Sequence, residues 1–491
     1  MTSPLFIAVD LGAGSGRVFL AGVNPNEFLL EEIHRFQYPP REIDGNLRWD
    51  LQHILAEIKN GLKAAGKRAN ELGLRIESLG IDSWGVDYGL LDANGNLIAD
   101  PVCYRDDRTR DAMARVFACV PRWEIFEKTG IQFQNFNTLY QLHSERQLGA
   151  ATSLLLLPDL LNYFLTGKKV AEYTNATTTQ MFNAEKGNWD RELLARLELP
   201  LGLLQDIAPA GTDLGLLKPD IAAELGLEGV HVVMPATHDT ASAVAGAPLV
   251  ENSAYISSGT WSLIGIELKN ALINSDVAGQ NFTNEGGVYG TIRFLKNVMG
   301  LWLFESCRRE WKAAGIDVEY DTLLAEVSAS AEFKAFIFPD DPRFLNPPSM
   351  LEAIAEQLEE TGQDFEYSPA ALSKIIFDSL AFRYASVIRS IDELTGKRIT
   401  SIQILGGGGR NEYLNQMTAN ASGRPAYAGL TEATVVGNVL VQAITAGRFS
   451  NISEARDHVR NNFDLKGYEP QMLSEITVRR YAEIEGRFVS C

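Results

Sequence analysis

The strongest constraint on this chain is a local pattern that occurs twice. Near the start, Leu5 to Val9 form a short apolar run of β-formers, and Asp10 ends it. A turn of Leu11-Gly12-Ala13-Gly14-Ser15-Gly16-Arg17 follows, and then a second run, Val18 to Gly22. Just past the midpoint of the 491 residues, Ala254-Tyr255-Ile256 leads into Ser257-Ser258-Gly259-Thr260 and then Trp261 to Gly265. Each reads as two strands joined by a glycine- or serine-rich turn, a hairpin. The length suggests two or three domains; if the two halves are domains built alike, they span 1–245 and 246–491. Two unrelated hairpins would leave the same trace. Glycine turns let backbone N–H groups approach an anion, so a facing pair could hold a triphosphate; they also serve as plain turns. The first is not a P-loop, which needs a strand-to-helix junction and a lysine absent here.

Between the two patterns stands His238-Asp239-Thr240, led in by an apolar strand, Val230 to Ala236, and followed by small, helix-compatible residues. An aspartate there either caps the helix after it or, in a cleft between domains, serves as a general base.

The net charge of −19 opposes binding of a phosphate backbone, which argues against nucleic acid as a partner. A polyanion would need a local site of glycine backbone, helix N-termini or a metal. Cys103, Cys119, Cys307 and Cys491 are too few for a disulfide framework and lack zinc-ligand spacing. The most apolar run, Ser153 to Leu165, is broken by Pro158 and Asp159, so no membrane span is expected. The first residues lack a signal-peptide pattern, which points to the cytoplasm.

Leu51 to Leu62 has the spacing of an amphipathic helix capped by Asp50. Arg75 to Ile81 is a strand that ends in Asp82-Ser83-Trp84-Gly85-Val86-Asp87. There Gly85 either admits a small hydroxyl-rich ligand against the backbone or simply turns the chain. Tyr104 to Thr109 is a sugar-contacting or a solvated loop. The Asn-, Thr- and Tyr-rich residues between 135 and 180 suit a polyol surface, or a segment bonded to its own backbone. Leu295 to Trp311 is predicted as one helix, with Asn297 near its start facing a ligand or capping it. Ala370 to Leu394 is a long amphipathic helix. Ile402 to Leu405 is a strand, followed by Gly406-Gly407-Gly408-Gly409 and a helix from Tyr413. One glycine suffices to turn a chain and each further one costs entropy, so this turn favours contact with a nucleotide. Gly437, in the helix opened by Glu432 to Asn438, predicts close helix packing. Beyond about 450, helices are expected.

These segments together resemble the FGGY carbohydrate kinases. The resemblance rests on Val9-Asp10-Leu11-Gly12-Ala13 with Ser15-Gly16-Arg17, Ile81-Asp82 with Trp84-Gly85-Val86-Asp87, and Tyr173 to Gln180. It rests also on His238 to Val244, Ser257 to Leu263, Thr283-Asn284-Glu285-Gly286-Gly287, Lys296-Asn297 with Met299 to Trp302, and the turn at 406–409. It implies an α/β, two-domain fold of the actin/hexokinase/Hsp70 (ribonuclease H-like) type with an active-site cleft between domains. The first domain would carry the sugar and the first phosphate loop, the second the other phosphate loop and the adenosine turn. The implied reaction moves the ATP γ-phosphoryl group to the 1-hydroxyl of L-rhamnulose, with Mg²⁺. Asp239 would be the base. Gly85, His238, Asp239, Thr240 and Asn297 would contact the sugar. Ala13, Gly14, Ser15, Gly16, Arg17, Thr260, Glu305 and Gly407 would contact ATP, and Asp10 would hold the metal. Glu305 stands where the family often has glutamine, and Gly14 where serine is common. A kinase for L-fuculose or xylulose, a catalytically silent sugar sensor and an ATP-driven chaperone or filament protein are the rival expectations. Oligomeric state is not read from the sequence.

Overall fold

The computed structural model describes residues 4–24, 27–330 and 333–489, so Cys491 and the first three residues lie outside the described part. The first hairpin is β1 (Leu5–Gly12) and β2 (Ser15–Asn24), closed by Ala13-Gly14 with Gly12 opposite Ser15. β1 is apolar on both faces because both are covered. Leu5, Ile7, Val9 and Leu11 join one core, while Phe6 and Ala8 join another. A strand buried on two sides reads as a continuous apolar run rather than an alternation. β3 (Glu27–Gln37) and α1 (Leu51–Leu72) follow. Asp50 caps α1 by accepting from the His53 N–H at 2.9 Å. The helix runs well past the expected Leu62 because Ala65 and Ala69 continue its buried stripe; it stops at Gly73, whose φ of 66° ends it.

β4 (Ile76–Ser83), α2 (Tyr173–Thr178), β5 (Asp213–Leu216), β6 (His231–Val233) and α3 (Asp239–Gly246) complete the elements of the first half that concern the site. The second half starts with β7 (Ser253–Ser258) and β8 (Trp261–Leu268), the second hairpin. Next come β9 (Thr283–Gly286), β10 (Ile292–Met299), α4 (Trp302–Ala313), α5 (Pro369–Thr395), β11 (Ser401–Leu405) and α6 (Glu412–Ser422). The last are β12 (Ala426–Ala428), α7 (Ala433–Thr445), α8 (Ile452–Asn462), β13 (Lys466–Tyr468) and α9 (Glu475–Val489).

The strand orders are β5-β6-β4-β1-β2-β3 and β9-β10-β8-β7-β11-β12-β13. In each sheet the first strand of the hairpin pairs antiparallel with the second. On its other side it pairs parallel with a strand reached by a long crossover, β4 or β11. A further parallel strand, β6 or β12, follows, then an antiparallel edge, β5 or β13. The two sheets therefore share one plan over six strands, with β9 an additional edge strand in the second, which is why the hairpin pattern appears twice in the sequence.

By contacts the chain forms two units. The first takes residues 1–248, 267–294 and 433–462; the second takes 249–266, 295–432 and 463–491. In the first, Gly437 of α7 crosses α3, where a methyl group would overlap the Ser242 carbonyl and come within 2.8 Å of the Gly246 nitrogen. The expectation of close packing at Gly437 is met.

One expectation is corrected. Residues 295–311 are not a single helix: they are the end of β10 followed by α4. Asn297 lies in a strand, and Leu301 holds the cap position of α4. A short apolar run does not distinguish strand from helix by periodicity alone. Here Gly300 decides it. It packs on the second hairpin turn so closely that a methyl group would reach 2.6 Å from the Gly259 oxygen. The N–H groups of Gly300, Leu301 and Trp302 bond to carbonyls of Gly259 and Thr260. The helix begins only after this junction.

Candidate active site

In the first unit, β1 brings Asp10 beside Asp82 of β4, the two being partners in register. Arg17, opposite Asp10 on β2, ion-pairs with it. Asp82 is fully buried. Its Oδ2 accepts from Asn438 Nδ2 of α7 at 2.5 Å, and its Oδ1 has no partner among the described residues. Burial first, and then the charge of Asp10, hold the Asp82 pKa well above the usual carboxylate range. The hairpin turn is open to a ligand at Gly14, which has φ 141° and, among the described residues, no atom within 4 Å of where a methyl group would lie. Ala13 and Gly14 are half-buried and Ser15 is exposed, whereas Gly16 is buried against Phe36. Tyr38 braces the turn from behind, its hydroxyl lying 2.6 Å from the Gly12 oxygen and 2.9 Å from that of Ser15.

His238-Asp239-Thr240 lies where β6 has ended and α3 begins. The Ser83 N–H donates to the Thr237 carbonyl at 2.9 Å, and Ser83 bridges His238, so the loop is stitched to the end of β4. This places His238 Nε2 beside Gly85, 3.5 Å from where a methyl group on that glycine would lie. His238 Nδ1 lies 3.0 Å from Nη2 of Arg293, a fully buried residue that also bonds Glu285 at 2.9 Å and the Gly286 carbonyl at 3.0 Å. A guanidinium only donates, so Nδ1 accepts and Nε2 carries the proton. Burial and then the Arg293 charge depress the His238 pKa well below its usual value, which keeps the ring neutral. The Nε2–H faces the site and lies 3.5 Å from Asp239 Oδ1.

Asp239 does not cap α3; His238 holds the cap position and makes no side-chain cap bond. The Asp239 carboxylate takes the Thr240 N–H at 2.5 Å and the Thr240 hydroxyl at 3.1 Å, both on Oδ1. Its side chain keeps 28% of its surface open. Burial and then the charge of Asp10 raise its pKa to about 7, against the opposing pull of Thr240 and Arg293. A carboxylate with one oxygen held, partly open, and poised near neutrality is suited to accept a proton.

In the second unit, Thr260 is exposed at the tip of the hairpin turn, with its carbonyl tied to Gly300 and Trp302. Asn297 is half-buried on β10. Glu305 in the first turn of α4 pairs with Arg308 at 2.9 Å, so its charge is countered within the helix. The glycine turn divides by role. Gly406 has φ 80°, and Gly408 packs on Ser258 too closely for any side chain. At Gly407, nothing among the described residues lies within 4 Å of where a methyl group would stand. Two of the four glycines thus have structural causes, and Gly407 is open.

Sequence reasoning missed Arg293, which fixes the His238 tautomer, and Asn438, which holds Asp82. Neither stands in a pattern that marks it. Both act across long stretches of chain, and only the fold brings them to the site.

The family model for the N-terminal domain of the FGGY family of carbohydrate kinases matches residues 5–246, and the one for its C-terminal domain matches 254–446. Rhamnulokinase from Oceanobacillus iheyensis is 41% identical over 94% of this chain and 97% of the relative. Rhamnulokinase from Bacteroides thetaiotaomicron is 42% identical over 96% of each. Among solved structures, ligand-bound xylulose kinase from Lactobacillus acidophilus superposes with a TM-score of 0.80 at 16% identity, over 99% of this chain and 97% of that one. Glycerol kinase from Plasmodium falciparum with ADP gives 0.79 at 14% identity, over 100% and 98%. The mixed α/β fold with its doubled sheet plan is the one these kinases share. The chain belongs to the FGGY family of carbohydrate kinases.

Proposed function

We propose that this protein is a rhamnulokinase, transferring the γ-phosphoryl group of ATP to the 1-hydroxyl of L-rhamnulose. The observation that carries the chemistry is Asp239, a partly open carboxylate with a pKa of about 7 beside a neutral His238, whose Nε2 lies 3.5 Å from Asp239 Oδ1. The relatives named rhamnulokinase, matched nearly end to end, favour L-rhamnulose over L-fuculose or xylulose as the acceptor. Retention of Asp239, Asp10 and both turns speaks against a silent sensor.

In the reaction, Asp239 takes the proton of the 1-hydroxyl while that oxygen bonds to the γ-phosphorus. The bond from phosphorus to the bridging oxygen breaks and ADP leaves. His238 and Thr240 orient the sugar, which lies against Gly85, and Asn297 is a further sugar contact. Backbone of Ala13 to Arg17 and Thr260 bind phosphates; Gly407 and Glu305 lie along the nucleotide. Asp10 would hold a divalent ion, Mg²⁺ in this reading. The residues fit such an ion. Asp10 and Asp82 are neighbours, Asp82 Oδ1 is unpartnered, and like charge from Asp10 raises both Asp82 and Asp239. No protein cage of three or more ligands occurs among the described residues, and Mg²⁺ in kinases needs none, since it keeps waters and phosphate oxygens. Once bound, the ion would neutralise phosphate charge. No helix among the described residues is long and apolar enough to cross a membrane, and we place the activity in the cytoplasm, where ATP is made.

ADP release measured against a panel of ketoses and polyols, with a sugar-free control, tests this. L-rhamnulose should give the highest kcat/KM. A higher value for L-fuculose or xylulose moves the assignment to a sister kinase. Sugar-independent release overturns it.

A further inference from the structure

We infer that Asn175 reads a hydroxyl of the sugar other than the one phosphorylated, and so helps set which ketose is accepted. The inference rests on the sugar-kinase reading above and names a residue that reading does not use. Asn175 lies in α2 and is fully buried, yet neither its Oδ1 nor its Nδ2 has a hydrogen-bond partner among the described residues. A carboxamide buried unsatisfied at both ends is costly and calls for an explanation; Asn162 shares that state, and Asn175 differs in what it faces.

Its direction shows the use. A methyl group placed on Gly85 would lie 3.5 Å from Asn175 Oδ1, 3.5 Å from His238 Nε2 and 3.2 Å from Thr178 Oγ1. Three polar groups on two separate segments converge on a spot where the chain supplies no side chain. Thr178 spends its proton on the Asn175 carbonyl at 2.8 Å, so its hydroxyl can only accept. Asn175 both donates and accepts, and the His238 Nε2–H donates. That set is neutral and mixed, and it matches adjacent hydroxyls of a polyol rather than a phosphate.

The shelf is held from beneath by Glu172. Its Oε2 accepts from the Thr174 N–H at 3.0 Å, the Thr174 hydroxyl at 2.5 Å and the Asn175 N–H at 3.3 Å. It also takes the N–H and hydroxyl of Thr237 at 3.0 and 2.9 Å. One carboxylate oxygen thereby ties the backbone of Asn175 to the residue before His238. The two sugar-facing groups are fixed to each other, which is what discrimination between epimers requires.

The test uses full-length protein, with L-rhamnulose and single-deoxy analogues lacking one of the other hydroxyls in turn. Binding is read by tryptophan fluorescence, turnover by ADP release, and stability by thermal unfolding. Asn175→Ala should raise KM for L-rhamnulose about 10- to 100-fold with kcat nearly unchanged. Against one deoxy analogue the variant and the wild type should bind alike, because the contact is already missing. The melting temperature should not fall, since Asn175 has no side-chain bond to lose; Asn175→Ser serves as a second variant if the alanine form folds poorly. An unchanged KM, an equal loss against every analogue, or a loss of affinity that tracks a loss of stability overturns the inference. Wild-type sugar binding without turnover would sink the kinase reading alone, and the fluorescence titrations would still decide the role of Asn175.

Discussion

Asp239 is held between opposing influences, and their balance gives its behaviour a sign. Burial and the Asp10 charge raise its pKa to about 7, while Thr240 and Arg293 pull it down. As a base it must be deprotonated, so kcat/KM of the enzyme should climb as pH rises through about 7. Asp10→Asn removes the like charge, and the same limb, followed on residual turnover, should move to lower pH; a limb that stays put would count against the coupling. Asp239→Asn should cut kcat about 10²- to 10⁴-fold and leave sugar affinity largely intact. It should also be more stable than the wild type at pH 8. The folded carboxyl keeps its proton up to about 7, whereas an unfolded aspartate releases it near ~4. The folded state therefore binds more protons between those values, and the wild type loses stability as pH rises through that window. Asparagine has no such loss, so the two melting temperatures should converge below pH 4. A helix-capping role predicts the reverse, a less stable variant with normal turnover. The triplet itself was legible in the sequence, because a polar break between a strand and a small-residue helix is uncommon. Its electrostatics were not, because they depend on Arg293 and Asp10, which the chain order separates from it.

At the scale of elements, the site depends on how α3 is seated, since Asp239 is its first residue. α3 crosses α7 at Gly437 and Gly246, with backbone against backbone. Gly437→Ala would push a methyl group into the Ser242 carbonyl, and Gly246 has no room to yield because its own methyl position overlaps the Ala433 oxygen. The helices would have to part. We expect a loss of about 1–3 kcal/mol in urea unfolding, together with reduced kcat as Asp239 moves. Gly202→Ala, where nothing lies within 4 Å, is the control and should change neither. A stable, fully active Gly437→Ala would show that the crossing does not position α3. Element type was readable where one cause dominated. Both hairpins declare themselves by a turn between apolar runs, and α1 by its stripe and the Asp50 cap. The run at 295–311 misleads because its strand half is short and apolar, and the Gly300 packing that separates it from α4 involves residues some forty positions earlier.

At the scale of the molecule, the doubled sheet plan was visible only as a recurring pattern, because the halves share a topology while their residues differ. The membership of α7 was not visible at all. Val435, Val439 and Ala443 fill one core with Phe6, Ala8, Phe19, Ala21 and Val23, and Gln442 donates to the Ile7 carbonyl at 3.0 Å. The first unit thus needs residues 433–462 to cover a face of its sheet. A fragment of residues 1–248 would expose that apolar face and leave the Ile7 carbonyl without the Gln442 amide. Exposed apolar surface costs roughly 25 cal/mol per Å², so the loss of several buried side chains approaches the whole stability of a domain. We expect the fragment to lack a cooperative thermal transition and to aggregate. Residues 433–462 supplied as a separate peptide should restore part of the transition, and the same peptide with Val435→Asp and Val439→Asp should not. A fragment that unfolds cooperatively without the peptide would mean that the sheet covers itself, and that α7 is an attachment rather than part of the core.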